Sequence, residues 1–181
     1  MLADGRDWPR ALLTTVSQPL RPSAVLVPIV ERHDGLTVLL TERAADLTHH
    51  AGQISFPGGG MEACDRNLTD TALREAEEEI GLLASQVAIV GYLSPLPTVS
   101  GYAVTPIVGL VDPAARLLLD QREVAAAFEV PLEFLLNPDN QRFGTRAVNG
   151  IEVPIISYQY ENWRIWGATA SMIVSLQYKL L

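Results

Sequence analysis

Between residues 67 and 82 the chain spells out one helix with both of its ends marked. Asn67 stands where an N-cap side chain accepts a backbone N–H, and Asp70 follows three residues later, an approximation to a capping box. Gly81 stands where a left-handed glycine stops a helix. These signals predict a helix over about 68–80. Leu73, Ala76 and Ile80 gather on one side of it, while Glu75, Glu78 and Glu79 fall within an arc of about 100° on the other. Glu77 lies outside that arc. Acidic side chains near a helix C-terminus oppose the macrodipole, at on the order of 0.3–1 kcal/mol each when exposed. Glu75 also repels Glu78 and Glu79 at i,i+3 and i,i+4, by roughly 0.2–0.5 kcal/mol per pair. The pattern predicts an apolar stripe docked on the core and a carboxylate triplet held outward. Arg74, at i,i+4 from Glu78, can hold one glutamate, but one guanidinium cannot neutralise three.

An acidic helix face is often no more than a solvated surface. The preceding loop argues for more, because Gly58, Gly59 and Gly60 permit the close backbone approach that a phosphate or metal site requires. Hard divalent cations prefer oxygen ligands, and Mg²⁺ typically takes a few carboxylates together with waters and substrate phosphates. Such an ion would relieve the repulsion between the glutamates. It would also let an acidic protein bind an anion.

The protein is indeed acidic: 13 Lys+Arg against 21 Asp+Glu leave a net charge of -8 over 181 residues. That balance argues against a grip on nucleic acid or on an anionic membrane and leaves a small-molecule substrate as the expected partner. The length suits one domain, residues 1–181, with an N-terminal extension over about 1–22. Cys64 is the single cysteine and has no partner at metal-ligand spacing, which fits a reducing compartment. The amino terminus lacks a basic segment followed by an apolar one, and Ala24 to Val30, interrupted by Pro28, is far too short to span a bilayer. A soluble, cytoplasmic protein is expected. The oligomeric state stays open, a homodimer included.

Around the helix, two apolar runs flank His33-Asp34-Gly35 and read as a hairpin. Asp46 to Ala63 reads as loop, Val87 to Leu93 and Val104 to Val111 as strands, and Val130 to Leu136 as a short helix opened by Pro131. Asn149-Gly150 signals a second hairpin, and Gly167 to Leu181 reads as a packed terminal helix. Mixed strands and helices then share one core.

At Arg74, Glu75, Glu78, Glu79, Gly81 and Leu82, with Ala76 at the first aliphatic position, the sequence resembles the box of the Nudix hydrolases, here over about 59–82. The first half of the box departs from the family pattern. Counted from Gly60 its glutamate position falls on Arg66; counted from Gly59 it falls on Asp65 with a spacer one residue too long, and we favour Asp65 with an insertion. Leu39 through Arg43, and His50 through Gly59, look like the extra signature of the coenzyme A pyrophosphatase branch. Tyr102 to Pro106, Glu123 to Pro131 and Ile165-Trp166-Gly167 are similar to that branch too.

The resemblance implies an α/β fold, an α/β/α sandwich with a mixed β-sheet, and hydrolysis of a diphosphate linkage. For this branch the substrate would be coenzyme A or a thioester of it, cleaved to 4′-phosphopantetheine and adenosine 3′,5′-bisphosphate. It implies Mg²⁺ or Mn²⁺ on Glu75 and Glu79, with Glu78 sharing a second ion and Arg74 orienting the glutamates. Glu78 and Glu123 are the candidates for the base, and Arg43 with Gly58, Gly59 and Gly60 for phosphate contacts. His49 and His50 read as loop residues. Tyr102, Trp163 and Trp166 could stack on adenine, though aromatics so placed more often fill a core. Two alternatives stay open: a diphosphatase acting on ADP-ribose, NADH or nucleoside triphosphates, and a non-catalytic nucleotide-binding domain.

Overall fold

The computed structural model describes residues 19–47, 50–148 and 150–180; most of the N-terminal extension, together with His49 and Asn149, lies outside them. A mixed sheet is assembled from β1 (Arg21–Arg32), β2 (Gly35–Arg43), β3 (Ile54–Ser55), β4 (Gly58–Gly60), β5 (Val87–Tyr92), β6 (Leu96–Pro97), β7 (Tyr102–Val111) and β8 (Val124–Pro131). Its central order is β3-β2-β1-β7-β5, with β8 on β2, β4 on β1 and β6 on β7. β1 and β7 run parallel, Arg21 to Val30 against Tyr102 to Val111, and the other pairings are antiparallel. A second sheet, β9 (Gln141–Val148), β10 (Ile151–Tyr160) and β11 (Trp163–Trp166), is antiparallel throughout. Three helices are described: α1 (Leu68–Ile80), α2 (Leu132–Leu136) and α3 (Gly167–Leu180).

The long central strands are apolar on both faces because both faces are covered. Along β1, Ala24, Leu26 and Val30 point to one side, where they pack with Ala72, Ala76 and Ile80 of α1. Val27 and Ile29 point to the other, where α2 supplies Leu132 and Leu135 and α3 supplies Met172, Ile173 and Leu176. The second sheet joins this side through Ile156, Tyr158 and Ile165. The expected layering, helices on both faces of a mixed sheet, is what the chain adopts. Trp163 lies stacked on Phe128, ring centroids 4.2 Å apart, as part of that packing.

Several local expectations are corrected. The segment 46–63 is not all loop, since Ile54–Ser55 pairs with β2 and Gly58–Gly60 pairs with β1. Glycine is a poor strand former, yet here its lack of a side chain is what admits the pairing: a Cβ on Gly58 would run into the backbone of Ala24 and Val25. The strand β8 falls where no strand is expected, and the helix after it begins only at Leu132. Its Ala125-Ala126-Ala127 core carries little strand propensity, so pairing with β2 from Thr37 to Arg43 decides it. β6 lies within the proline-rich stretch, and β11 is equally unmarked by pattern.

Candidate active site

Helix α1 is held at both ends. The Asn67 side chain accepts from the Asp70 N–H at 3.0 Å, and Gly81 takes the left-handed conformation (φ 69°) that ends the helix. The last turn carries no basic side chain, so its carbonyls must find other donors. The loop before β8 provides them: the Leu118 N–H donates to the Ile80 carbonyl at 2.9 Å and the Asp120 N–H to the Glu79 carbonyl at 3.0 Å. The same loop leads into Glu123, whose N–H donates to the Asp120 carbonyl at 2.9 Å and whose carbonyl accepts from Ala44 N–H at 2.8 Å. One short loop thus ties Glu123 to the end of α1 and to the residue after Arg43. No sequence pattern announces this fastening, because backbone groups make it.

The carboxylates do not form an outward triplet, and this corrects the expected facing. Glu78 is exposed, but Glu79 is only 3% exposed and Glu75 is largely covered. Ala76 and Ile80 do face the core, fully buried. The apolar stripe is flanked by Glu79 because β4 and the end of β2 cover that flank of the helix. Glu79 accepts from the Gly58 N–H at 3.2 Å and meets Arg43 Nη1 at 3.5 Å. Glu75 lies against Gly59 so closely that a Cβ there would overlap its carboxylate. Ser23 Oγ donates to the Gly59 carbonyl at 2.6 Å and fixes this strand from the far side.

Arg74 is the hub of the other half. Its Nε and Nη2 bond Asp65 at 3.0 and 3.1 Å, Nη1 reaches Glu75 at 3.0 Å and Glu78 at 2.9 Å, and Nη2 also donates to the Gly60 carbonyl at 3.1 Å. Asp65 therefore occupies the place opposite Arg74, and Arg66 turns away to Asp70 at 2.7 Å. Thr71 Oγ1 and the Glu62 N–H complete the Asp65 carboxylate at 3.0 and 2.9 Å. Thr71 carries no sequence signal for this role beyond lying six residues after Asp65.

Electrostatics separate the two halves. Hydrogen bonds from Arg74 hold the Asp65 carboxyl well below the usual carboxylate range. Burial pushes Glu79 up to about 7, against the opposing pull of Arg43 and the Gly58 amide, and the charges of Glu75 and Glu123 raise it further. Burial raises Glu75 as well, again with a contribution from Glu123. The Nε of Arg43 is buried without a hydrogen-bond partner among the described residues. The structure thus brings together Arg43, Gly58, Gly59, Gly60, Arg74, Glu75, Glu78 and Glu79, with Glu123 close enough to act on two of them. His50 stays apart, bonded to Gln53 at 3.0 Å. Tyr102 and Trp166 lie under arginines, Arg21 at 4.1 Å and Arg146 at 4.6 Å. Among the described residues no three His, Cys, Asp or Glu side chains converge as a closed metal cage. No helix of the described chain is long and apolar enough to cross a membrane.

Comparison with known proteins agrees with this geometry. The NUDIX domain model matches residues 20–148. The uncharacterized Nudix hydrolase NudL of Yersinia pestis (strain Pestoides F) is 46% identical over 153 residues, 84% of this chain and 76% of that protein. Among solved structures, the MutT protein of Methanosarcina mazei Go1 superposes with a TM-score of 0.56 at 19% identity, covering 91% of this chain and 98% of that one. RenU, a Nudix hydrolase of M. smegmatis, gives a TM-score of 0.53 at 22% identity over 63% of this chain and 72% of its own. At those identities the structural likeness concerns the fold, an α/β Nudix fold with a mixed sheet and three helices. The matched domain and the NudL relative carry the assignment further: this chain belongs to the Nudix hydrolase family.

Proposed function

We propose that the chain hydrolyses the diphosphate bond of coenzyme A or its thioesters, releasing 4′-phosphopantetheine and adenosine 3′,5′-bisphosphate. Family membership implies a substrate of the nucleoside-diphosphate type and, in general, a divalent metal. The observation that carries the narrower reading is the meeting of two segments. Arg43 and Gly58, both from the stretch resembling the coenzyme A branch, are the groups that touch Glu79 of the general box.

The donor set fits Mg²⁺ or Mn²⁺. Glu75 and Glu79 are hard oxygen ligands, both pushed toward protonation by burial, and Glu79 has only the distant Arg43 guanidinium to offset its charge. Three protein ligands in a closed cage are not required, because such ions keep waters and substrate phosphates. Glu75 and Glu79 would hold the ion, with Glu78 contributing to a second. A bound ion supplies charge neutralisation of the diphosphate and makes water a better nucleophile. Arg74 keeps Glu75 and Glu78 in place while its own charge is spent on Asp65. Arg43, whose side chain is 26% exposed and meets Glu79 only at 3.5 Å, would take a phosphate oxygen through the open part of its planar fork. The glycine strand exposes backbone at the same place. Glu123 accepts the proton of the attacking water, since Glu78, the other candidate, is drawn off by Arg74 at 2.9 Å.

The test is mass-resolved product analysis of purified protein with coenzyme A and Mg²⁺ in ¹⁸O-water, beside ADP-ribose and NADH. Metal-dependent release of the two named products, preferred over turnover of the others, is expected, with the label marking the phosphorus attacked. Turnover of ADP-ribose or NADH alone would discard the coenzyme A reading. In the same assay Glu123→Gln should lower kcat more than Glu78→Gln; the reverse order would reassign the base.

A further inference from the structure

Between β7 and β8 the chain runs as a loop, 112–123, whose last turn is fixed by one side chain. Asp120 Oδ1 accepts the Arg122 N–H at 3.0 Å, two residues on, which makes an Asx turn. The Asp120 carbonyl then accepts the N–H groups of Glu123 and Val124, both at 2.9 Å, and β8 begins. The Arg122 guanidinium folds back on the same carboxylate, Nε 2.9 Å from Oδ1 and Nη2 2.5 Å from Oδ2. These hydrogen bonds hold the Asp120 carboxyl well below the usual carboxylate range, so the turn keeps its anionic acceptor at every working pH.

Asp120 also meets the glutamate cluster through its backbone, because its N–H donates to the Glu79 carbonyl at 3.0 Å. One residue is therefore bonded to Glu79 on one side and to Glu123 on the other. Glu123 raises the carboxyls of both Glu75 and Glu79 by its charge, so it stands near them, yet it lies in no helix or strand that would set its placement. The turn sets it. Stability gives the carboxylate little reason to be there, since the Arg122 side chain is 88% exposed and ion pairs so exposed contribute little. Arg122 is also spent on Asp120 and not on its neighbour Glu123, whereas Glu78, the other candidate for the base, is held by Arg74.

We propose that Asp120 is a positioning residue for the reaction: its Asx turn fixes Glu123 against the end of α1 and so sets the working distance between the Glu123 and Glu79 carboxylates. The inference rests on the reading of Glu123 as the proton acceptor. Asp120 itself touches neither the water nor the diphosphate, so its removal should lower kcat and leave KM nearly as it was. A misplaced base remains chemically competent and is merely slower, which separates this role from that of Glu123.

The test joins steady-state kinetics of the full chain, on whichever of coenzyme A, ADP-ribose and NADH it turns over, with amide hydrogen exchange across 112–124. Asp120→Ala should lower kcat about tenfold, with KM within about twofold and melting close to the wild type. Asp120→Asn, whose amide oxygen still accepts the Arg122 N–H, should recover most of that loss. Arg122→Ala keeps the turn and loses only the exposed ion pair, so it should cost little. Glu123→Gln alone should lose about a hundredfold or more, and adding Asp120→Ala to it should change kcat by no more than about twofold, because the group being positioned is already gone. Exchange at the Arg122 and Glu123 amides should be faster in Asp120→Ala and near the wild type in Asp120→Asn, whether or not a substrate is turned over. The proposal is overturned if Asp120→Ala keeps the wild-type rate or protection, if Asp120→Asn is as slow as Asp120→Ala, or if Asp120→Ala costs the same factor with and without Glu123. A Glu123→Gln enzyme at the wild-type rate would overturn Glu123 as the base, and this role of Asp120 with it.

Discussion

Two ion pairs flank the same helix and differ in almost every respect. On one side Arg74 is saturated: Asp65, Glu75, Glu78 and the Gly60 carbonyl take its donors at 2.9 to 3.1 Å, and Asp65 is buried with every oxygen engaged. On the other side Arg43 reaches Glu79 at 3.5 Å only, its Nε has no partner among the described residues, and Glu79 is left buried with a carboxyl raised to about 7. The first pair is complete without a ligand. The second is arranged as though something cationic and something anionic were still to come. A fold holds the Asp65–Arg74 half together for its own stability, and holds the Glu79–Arg43 half under electrostatic tension that a bound ion and phosphate would relieve.

The sharpest way to break this contrast is Glu79→Gln. Turnover should fall on the order of a hundredfold or more, because a hard anionic ligand is lost. The melting temperature should hold or rise, since an amide still accepts the Gly58 N–H and no longer carries a buried charge. A variant that keeps its rate at ordinary metal concentrations would remove Glu79 from the reaction. A variant that loses its rate by unfolding would move Glu79 to the structural half.

Gly59→Ala should be next in effect. The new methyl would overlap the Glu75 carboxylate, whereas a methyl at Gly60 would find its nearest neighbour 3.6 Å away, on the Tyr102 ring. Overpacking of this kind costs about 1–3 kcal/mol and should displace Glu75, so Gly59→Ala loses both stability and rate while Gly60→Ala keeps both. Equal behaviour of the two variants in thermal melts and turnover would contradict the close approach. Asp65→Asn tests the saturated side. Removing the anion from a largely covered guanidinium should cost about 1–3 kcal/mol in chemical denaturation. Its effect on the rate should follow only from looser placement of Glu75 and Glu78, and a kcat loss as large as that of Glu79→Gln would erase the distinction.

The smallest effect is on pH dependence, where the two halves have opposite signs. Glu79, with a folded value near 7 against an ordinary 4.5, holds its proton more tightly when folded. Between those values the native state binds more protons than the unfolded one, so the stability of the metal-free chain falls as pH rises through that window. Asp65 is lowered instead, so its stabilisation is present above its unfolded value and is lost only as pH falls through its depressed folded value. Metal-free melting temperatures should therefore decline from about pH 4.5 to about pH 7 and level off above it, with added Mg²⁺ recovering more at the higher pH. A flat profile would mean that Glu79 is not desolvated.

How far the sequence reaches is visible in the same residues. The ends of α1 are written locally in Asn67 and Gly81, and the family box in Arg74, Glu75, Glu78 and Glu79, since caps and helical spacing act within a turn or two. The hairpin registers follow from short turns between apolar runs. The facing of Glu79 does not follow. Helical angles place it beside Glu75 and Glu78, but whether that flank meets water depends on β4 and Arg43, which come from 21 and 36 residues away. The choice between Asp65 and Arg66 is ambiguous by counting because the insertion shifts the spacing, and it is decided by which side chain can reach Arg74.

By itself, then, the sequence determined the helix, its cluster of glutamates, the two hairpins, the acidic balance and the family, all of which rest on interactions between near neighbours or on motif spacing. The tertiary structure decided that three glycines form a strand, that an alanine-rich segment pairs as β8, that Glu123 is tied to the end of α1, and that one arginine is satisfied while another is not. Each of those depends on which distant backbone covers a given surface, and burial is a property of the assembled fold.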